Sequence, residues 1–429
     1  MTQLFSDEMR RDPYPFYRQL RSASPVFHDP ASGLWMIFDY DGVKWALSDV
    51  ESFSSKYGPD WLIFADPPRH TKLRALISKA FTPRSIANLE PRIRALTLEL
   101  LEGAMAGPTS SKAPEGNAAE VGPPNGSQWR VFDVATDFAV PLPMMVIAEM
   151  IGIPVSDRTR FKRWSDVILK MSYTIERHDE EAAAAASDFM AVTGEMDDFL
   201  ASILSARRSG GTVAADSNDD LLSRLANAEV DGERLSQREI LGFFQLLLLA
   251  GSETTTNLIN NAILCLIEHP EQLARLRAAP ELLPAAIEEV LRYRSPLQWI
   301  YRLTRGDIEL HGQVIPAGRL VLTMIGAANR DPRHFSDPEH FDIARDPNPH
   351  LAFGHGMHFC LGAALGRLEG RIALAEFLAR FIDFELASDV PWAPRQGLHV
   401  HGPTHLPIRV RLATRCAAAT VSRSAHTAV

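Results

Sequence analysis

Apolar residues three and four positions apart dominate the chain, a spacing that predicts helix over most of its length. Such runs occupy residues 71–81, 85–105, 136–151, 156–171, 180–208, 284–293 and 361–381. One further run continues without proline from residue 236 to residue 269, and Ser236 and Glu239 at its start have the spacing of a capping box. Because this helix is long and apolar on most sides, we expect it to cross the middle of the protein.

Signals for strands are fewer and shorter. Residues 34–38 are apolar and aromatic between turn residues, which is typical of a strand. Residues 308–315, interrupted by Gly312, and residues 321–325 give the same signal. The pattern therefore predicts a mainly α chain with small β-sheets. Since no clear linker separates the elements, we expect residues 1–429 to form one large domain.

Two segments depart from this pattern. Residues 107–128 are rich in Pro, Gly, Ser, Asn and Ala, contain Val121 as their one large aliphatic residue, and lack aromatic residues. Such a segment buries too little apolar surface to order itself, so we expect a disordered surface insertion. Residues 415–429 are small and polar, and we expect them to form a frayed tail.

Composition excludes several classes of protein. The 429 residues, 46% of them hydrophobic, suffice for a thick core, and the net charge of -9 argues against nucleic-acid binding by a basic surface. Three cysteines cannot form a disulfide framework, which favours a reducing compartment. Residues 1–15 lack the apolar stretch of a secretory signal, and no apolar run reaches the roughly 20 residues of a membrane span. We therefore expect a cytoplasmic protein without a membrane anchor. We also expect a monomer.

The most informative stretch is residues 353–362, where glycines precede Cys360 at the start of the last long helix. Free N–H groups and the helix dipole at such a position stabilise a thiolate and lower its pKa. Gly356 and Gly362 would let the backbone approach a flat ligand closely. A buried structural cysteine beside a tight turn is an alternative. A zinc site made by His355, His358 and Cys360 is another, although it lacks a second spaced pair of ligands.

The spacing of Phe353, Gly356, Cys360 and Gly362 resembles the haem-binding loop of cytochrome P450 monooxygenases. Three other segments resemble motifs of that family and follow its order: residues 250–255 (Ala-Gly-Ser-Glu-Thr-Thr), residues 289–292 (Glu-Val-Leu-Arg), and residues 328–332 with 337–341. The resemblance extends from about residue 10 to about residue 410. It implies the cytochrome P450 fold and a haem b cofactor.

The resemblance assigns Cys360 as the axial haem ligand. It also assigns His70, Arg74, Arg302 and His358 to the haem propionates, and residues four apart, such as His70 and Arg74, are neighbours on a helix. A solvated helix face is the alternative for that pair. Arg302 lies among apolar and aromatic residues in a β segment, where a charge favours a buried anion.

Glu253 and Thr254 interrupt the most apolar helix of the chain. Because burying a carboxyl or hydroxyl group without a partner is costly, we expect both to relay protons to bound dioxygen. Gly251 would leave room for oxygen between helix and haem. The alternative is a kinked helix in which Thr254 bonds to its own backbone.

Glu289 and Arg292 share a helix face and are expected to form a buried ion pair, which in the family fastens the segment before the cysteine loop. His340 stands where many members have arginine, so the sequence leaves the third partner of this pair open. Gly362, Gly366 and Gly370 are spaced by four in the last helix, which favours close packing against another helix.

The position of the family's substrate cavity, on the other side of the haem from the cysteine, suggests mostly apolar lining residues. The candidates are Trp61, Ile63, Phe64, Ile168, Met171, Phe243, Leu247, Ala250, Leu297, Ile300 and Leu398. Each of them has a role in the core as its alternative. An apolar lining favours a hydrophobic substrate bound by shape, such as a terpenoid, a steroid or a fatty-acid-like molecule.

No flavin or iron–sulfur module follows the haem-binding segment in this sequence. The resemblance therefore implies electrons from a separate ferredoxin and its NAD(P)H-dependent reductase, and O2 as co-substrate. Lys72, Lys79, Arg84, Arg92 and Arg367 are expected to form a basic patch for an acidic carrier. The expected function is hydroxylation of an unactivated C–H bond; a peroxygenase or isomerase on the same scaffold and a non-catalytic haem sensor are the alternatives.

Overall fold

The computed structural model describes residues 6–59, 61–106, 129–153, 157–174, 180–208, 221–395 and 397–413. The expected insertion at 107–128 and the expected tail at 415–429 lie outside the described residues, so both remain predictions.

Helices make up most of the described chain, as predicted. In chain order, α1 to α15 are Asp7–Arg11, Tyr14–Ala23, Tyr40–Ser48, Arg69–Ala80, Pro83–Ala87, Glu90–Ala106, Pro141–Ile151, Arg158–Thr174, Glu180–Arg208, Leu221–Asn227, Gln237–Glu268, Pro270–Ala278, Leu283–Tyr293, Ile325–Ala328 and Ala363–Arg380. Short 3₁₀ turns occupy Leu62–Phe64, Pro280–Leu282 and Gly356–His358, and a π-helical turn occupies Ala135–Ala139.

The strands are short. In chain order, β1 to β12 are Val26–His28, Trp35–Ile37, Phe53–Ser54, Trp129–Asp133, Glu229–Val230, Glu233–Arg234, Ile300–Thr304, Ile308–Leu310, Gln313–Ile315, Leu320–Thr323, Phe381–Leu386 and Pro407–Leu412. The larger sheet has the order β1-β2-β10-β7-β3, in which β2 and β10 run parallel, and a second sheet has the order β11-β12-β4. Two hairpins, β5-β6 and β8-β9, account for the other strands of the described residues. The predicted fold class, mainly α with small β-sheets, is confirmed.

The long helix α11 runs through the core, as its hydrophobic pattern predicts. Ser236 and Glu239 form the predicted capping box at its start, and most of its side chains are buried. Helices α7, α8, α13 and α15 pack against it. The helix therefore presents residues to several layers of the molecule at once.

One predicted helix is divided in two. Residues 85–105 were expected to form a single helix, but α5 ends at Ala87 and α6 begins at Glu90. Pro91 explains the break. In a continuous helix the ring of Pro91 would clash with the backbone carbonyl four residues earlier, which is that of Ala87. In the first turn of α6 the same residue is well tolerated.

Candidate active site

The loop before α15 holds Cys360 through its own backbone. The Cys360 N–H donates to the Phe353 carbonyl at 2.8 Å, and the Phe359 N–H donates to the Gly356 carbonyl at 3.0 Å. The guanidinium of Arg367 lies 4.4 Å from the centre of the Phe353 ring. The Cys360 side chain is accessible although the residue lies deep in the fold. The loop thus leaves Cys360 accessible just before the start of α15.

The expectation of a lowered pKa for Cys360 is wrong. Burial raises the pKa of the thiol, and the N–H groups of Gly362 and Ala363 together with the charge of Arg74 oppose this only in part. Helix α15 begins at Ala363, three residues after Cys360, so the dipole acts from a greater distance than the sequence suggested. Desolvation is the larger effect here.

Gly356 is required for the packing of the cysteine loop against α3. Its φ is +70°, and a Cβ atom there would lie 2.8 Å from the Cα atom of Ser48 at the end of α3. The residue thus allows the loop to approach α3, and the expected approach of its backbone to a flat ligand stays a prediction. At Gly362 a Cβ atom would lie 3.8 Å from the Cys360 sulfur, which is an ordinary contact.

Four predicted residues come together beside this loop. The rings of His70 on α4 and His358 are 4.2 Å apart. Arg302 on β7 acts electrostatically on His358, and Arg74 acts on both His358 and Cys360. Burial is the main cause that lowers the pKa of His70 to about 4 and that of His358 to about 3.

Several polar atoms of this group have no partner among the described residues. Both ring nitrogens of His70, Nε2 of His358 and Nη2 of Arg302 are buried and make no hydrogen bond there. Buried polar groups normally have a partner. Two imidazoles and two guanidinium groups around such unsatisfied atoms fit a ligand that carries carboxylates.

The comparisons with known proteins agree with this geometry. The family model described as Cytochrome P450 matches residues 158–401. The chain belongs to the cytochrome P450 family. Cytochrome P450 109 of Bacillus spizizenii is 39% identical over 413 residues, covering 96% of this chain and 95% of that protein. The 6-deoxyerythronolide B hydroxylase of Saccharopolyspora erythraea is 36% identical over 436 residues, covering 95% and 98% of the two chains.

The fold leads to the same family. The crystal structure of CYP109E1 from Bacillus megaterium in complex with corticosterone superposes with a TM-score of 0.81 at 38% identity, covering 94% of this chain and 99% of that one. Cytochrome P450 enzymes are monooxygenases that use haem iron, O2 and redox partners. The accessible Cys360 sulfur beside a group of buried cationic and imidazole side chains fits such a cofactor.

The alternative of a zinc site at His355, His358 and Cys360 is not supported. Among the described residues, no three His, Cys, Asp or Glu side chains are grouped as metal ligands. His358 faces His70 instead, in the group around the P450 cysteine loop. None of the helices in the described part of the chain has the length and the hydrophobicity of a membrane span.

In the middle of α11, most of the residues that keep accessible surface form a stripe, from which Leu249 departs. Leu247, Ala250, Gly251 and Thr254 keep some accessible surface, whereas Ser252, Glu253 and Thr255 are buried. The stripe has the three- and four-residue spacing of one helix face. A Cβ atom on Gly366 of α15 would lie 3.9 Å from the Thr255 hydroxyl, which brings α11 next to the helix that follows Cys360.

Glu253 is 5% exposed, and its Oε1 atom accepts no hydrogen bond from the described residues. Desolvation raises its pKa to about 7, while Arg395, whose Nη1 is 3.9 Å from Oε1, opposes the rise. The Thr254 hydroxyl donates to the Ala250 carbonyl at 2.6 Å. This is the hydrogen bond to the helix's own backbone that the alternative of a kinked helix requires. Its lone pairs stay free to accept a hydrogen bond.

The interpretation of Gly251 needs correction. A Cβ atom on Gly251 would lie 2.9 Å from Cδ1 of Ile147 on α7 and 3.8 Å from Cδ1 of Leu247. The missing side chain therefore makes room for helix packing. The space left by the missing side chain borders Ile147 of α7, so it is not the space that we expected for oxygen.

Glu289 and Arg292 form the expected buried ion pair, with both side chains fully enclosed and two contacts of 2.7 Å. The open question of a third partner is answered by Arg345, whose Nε lies 3.2 Å from the Glu289 carboxylate, and by Asn348, which donates to it at 3.1 Å. His340 contributes its backbone carbonyl, which accepts from Arg292 at 3.0 Å.

Close helix packing is confirmed at one of the spaced glycines. A Cβ atom on Gly370 would lie 3.0 Å from Cδ2 of Leu258 on α11 and 3.5 Å from Cδ1 of Ile287 on α13. At Gly366 the nearest atoms are 3.9 Å away, so that position has room for alanine.

The candidates for the substrate cavity divide by burial. Ile168 and Phe243 are 2% and 5% exposed and belong to the main hydrophobic core, so the core interpretation applies to them. Trp61 and Leu398 are also nearly enclosed, at 8% and 9% exposed. The candidates that keep accessible surface are Ile63, Phe64, Met171, Leu247, Ala250, Leu297 and Ile300.

Contacts place several candidates near the cysteine loop or α11. The Trp61 Nε1–H donates to Gln245 Oε1 on α11 at 3.2 Å. Cδ1 of Ile300 would lie 3.9 Å from a Cβ atom on Gly354 in the loop. Leu297 pairs with Val400 in an isolated antiparallel bridge, which brings the C-terminal segment alongside.

The sequence did not reveal Arg345, Asn348 or Arg395 as partners of the two buried carboxyl groups. Arg395 is 142 positions from Glu253 in the chain. A charged residue in a Pro- and Gly-containing segment gives no periodic signal. One available signal is that a buried carboxyl group on an apolar helix requires a partner from elsewhere in the fold.

Proposed function

We propose that this cytochrome P450 hydroxylates an unactivated C–H bond of a small apolar molecule. The observation that carries the proposal is the accessible Cys360, whose loop also carries His358, together with the buried, unpartnered atoms of His70, His358 and Arg302. We further propose O2 as co-substrate and a ferredoxin with its NAD(P)H-dependent reductase as the source of electrons.

The Cys360 sulfur would bind the haem iron, and His70, Arg74, Arg302 and His358 would bind the two propionates of haem b. When bound, the haem iron supplies the activation of O2 for insertion of one oxygen atom into a C–H bond, which a thiolate ligand promotes by donating electron density. Binding of an anion would satisfy the unpartnered atoms of His70 and His358 and favour their protonation. Phe353, Gly356 and Gly362 would shape the loop that holds the sulfur.

Glu253 and Thr254 would deliver protons. A carboxyl group whose pKa is about 7 both holds and releases a proton at neutral pH, which suits an acid–base group. The neighbouring Thr254 keeps accessible surface on the face of α11 that carries Ala250. Its hydroxyl would pass the proton from Glu253 into the cavity.

The substrate would lie against the accessible apolar stripe of α11 and the residues Leu297 and Ile300. Such a surface binds by shape and area rather than by hydrogen bonds. A steroid is the first class to test, because the related CYP109E1 was crystallised with corticosterone. Terpenoids and fatty-acid-like molecules share the same apolar character.

A carbon monoxide difference spectrum of the reduced, haem-loaded protein tests the site. We expect the red-shifted band of a thiolate-ligated haem, its loss in Cys360→Ser, and its retention in Cys265→Ala, a change to a buried cysteine of α11. A wild-type spectrum without that band would contradict the monooxygenase, the peroxygenase and the isomerase alike, and would favour a haem sensor.

Product analysis tests the reaction. Steroids, terpenoids and fatty acids are screened for a spin-state shift, and compounds that bind are incubated with O2, NAD(P)H, a ferredoxin and its reductase. We expect a product heavier by one oxygen atom and a loss of its formation in Thr254→Ala. Product formed equally well by Thr254→Ala with peroxide as the sole oxidant would instead identify a peroxygenase.

A further inference from the structure

Three carboxyl groups that are buried or partly buried, those of Glu369, Glu288 and Glu253, have very different environments. Glu369 on α15 is 1% exposed with Oε2 unpartnered among the described residues, and burial raises its pKa to about 8. Glu288 on α13 accepts two hydrogen bonds from Arg367, at 2.8 and 2.7 Å, and contacts His350 at 3.1 Å, and these bonds lower its pKa to about 2. Glu253 lies between these extremes.

Glu253 has a charged partner, Arg395, that does not form a direct hydrogen bond with it. The Arg395 Nη1 atom stays 3.9 Å from Glu253 Oε1, beyond hydrogen-bond distance, and the two side chains are 13% and 4% exposed. Among the described residues, Arg395 is the charged group that acts on Glu253. At this separation the guanidinium attracts the carboxylate without taking up its oxygen atoms.

Asn257, one turn after Glu253 on α11, fixes this spacing. Its Nδ2 group donates to the Glu253 carbonyl at 3.0 Å, and its Oδ1 atom accepts from Arg395 Nε at 3.4 Å. Gly402 packs against it so closely that a Cβ atom there would lie 2.1 Å from Oδ1. The Arg395 N–H donates to the Gly402 carbonyl at 3.1 Å, so the same segment holds both the arginine and the asparagine.

We propose that Arg395 is a positioning residue for proton delivery: its guanidinium, held by Asn257 at 3.9 Å from Glu253, keeps that carboxyl group able both to take up and to give away a proton. This inference rests on the proposed role of Glu253. A bidentate contact like that of Glu288 would hold the carboxyl group as an anion. Without any cation, as at Glu369, it would remain protonated.

The experiment compares four variants of the haem-loaded protein with wild type. Glu253→Gln identifies the carboxyl band of Glu253 by its disappearance from the infrared spectrum, and that band is then titrated in Arg395→Gln and Arg395→Lys. Arg409→Gln is the matched control, because it removes an arginine that pairs with Glu385 at 2.6 Å on the surface of β12. Oxygen consumption with a ferredoxin and its reductase is recorded over the same pH range.

We expect Arg395→Gln to move the midpoint of the Glu253 band upward by about one pH unit or more, as loss of an opposite charge at this distance does. The pH profile of oxygen consumption is expected to move in the same direction. Arg395→Lys keeps the charge and is expected to stay near wild type, as is Arg409→Gln. Unchanged midpoints in Arg395→Gln would overturn the proposal, and so would an equal shift in Arg409→Gln.

The infrared titration requires no turnover, so the two proposals fail in distinguishable ways. If Glu253→Gln consumes oxygen and forms product like wild type, proton delivery by Glu253 is wrong even where the titration links Arg395 to it. If the band does not respond to Arg395 while Glu253→Gln is impaired, proton delivery stands and the role of Arg395 is wrong.

Discussion

Glu369 sits in the core of α15 without a hydrogen bond to its Oε2 atom from the described residues. Burial raises its pKa from the ordinary 4.5 to about 8. Above pH 4.5 the unfolded chain releases this proton while the folded chain keeps it. The carboxyl group therefore destabilises the fold increasingly from pH 4.5 to about pH 8, and the cost is constant beyond that.

We expect Glu369→Gln to remove that cost. The variant should be more stable than wild type at pH 7, by up to about 3 kcal/mol if its amide is tolerated in the core, and the difference should shrink to nothing as the pH falls towards 4.5. Thermal unfolding at several pH values measures it. Glu102→Gln, at a 61% exposed side chain on α6, is the control and should show no such trend. A pH-independent difference would contradict titration of Glu369 as the cause.

The Glu289–Arg292 pair joins α13 to the segment that precedes the cysteine loop. Arg292 donates to three backbone carbonyls there, those of Asn329, Pro338 and His340, at 2.8 to 3.0 Å. Glu289 accepts from the Asp342 N–H at 3.0 Å as well as from Arg345. A single helix turn thus anchors a long stretch of irregular backbone.

Arg292→Ala is expected to yield protein that does not retain haem. Removing one side of a fully buried ion pair costs about 3–5 kcal/mol, and each of the three carbonyls would lose one donor as well. The ratio of haem absorbance to protein absorbance after purification measures the effect. Arg275→Ala is the control, since Arg275 contacts the neighbouring Asp342 at 2.8 Å but is 48% exposed. A soluble, fully loaded Arg292→Ala protein would contradict the prediction.

Elements whose cause is local could be predicted from sequence. Helix α11 follows from its capping box and continuous apolar pattern, and the bounds of α9 coincide with the predicted residues 180–208. The i, i+3 spacing likewise predicted the Glu289–Arg292 pair. The strands of the second sheet could not be predicted in this way, because β4, β11 and β12 come from distant parts of the chain and stabilise one another only after pairing.

The residues of the site also fall into those with local causes, which the sequence predicts, and those that depend on distant parts of the chain. Cys360 and the residues of its loop are close together in sequence, and the motif could be recognised there. The partners of Glu253 and Glu289 belong to distant segments. Which neighbouring helix lies against Gly251 or Gly356 depends on the packing of the whole fold. These contacts are properties of the tertiary structure, so spacing in the sequence did not reveal them.

Over the whole molecule, most of the predicted basic patch is paired. Arg367 bonds Glu288, and Arg92 bonds Glu149. Two lysines of α4 contact the β5-β6 hairpin: Lys72 contacts Glu233 at 2.6 Å, and Lys79 donates to the Glu229 carbonyl at 2.5 Å. The patch therefore carries less free positive charge than the sequence suggested, and the hairpin limits what α4 presents to an acidic carrier.

Glu233→Gln is expected to unmask Lys72 and speed reduction by a ferredoxin. Because α4 also carries Arg74, which acts on Cys360, added positive charge here would steer an acidic partner towards the cysteine side. We expect a rate increase of about twofold at low ionic strength that disappears in high salt, where exposed charges are screened. Stopped-flow reduction of the haem measures the rate.

Glu385→Gln is the matched control, since the Glu385–Arg409 pair is also 2.6 Å long and similarly exposed but lies on the β11-β12-β4 sheet. Equal acceleration in both variants would point to net charge alone, and an unchanged rate in Glu233→Gln would exclude α4 from the docking surface.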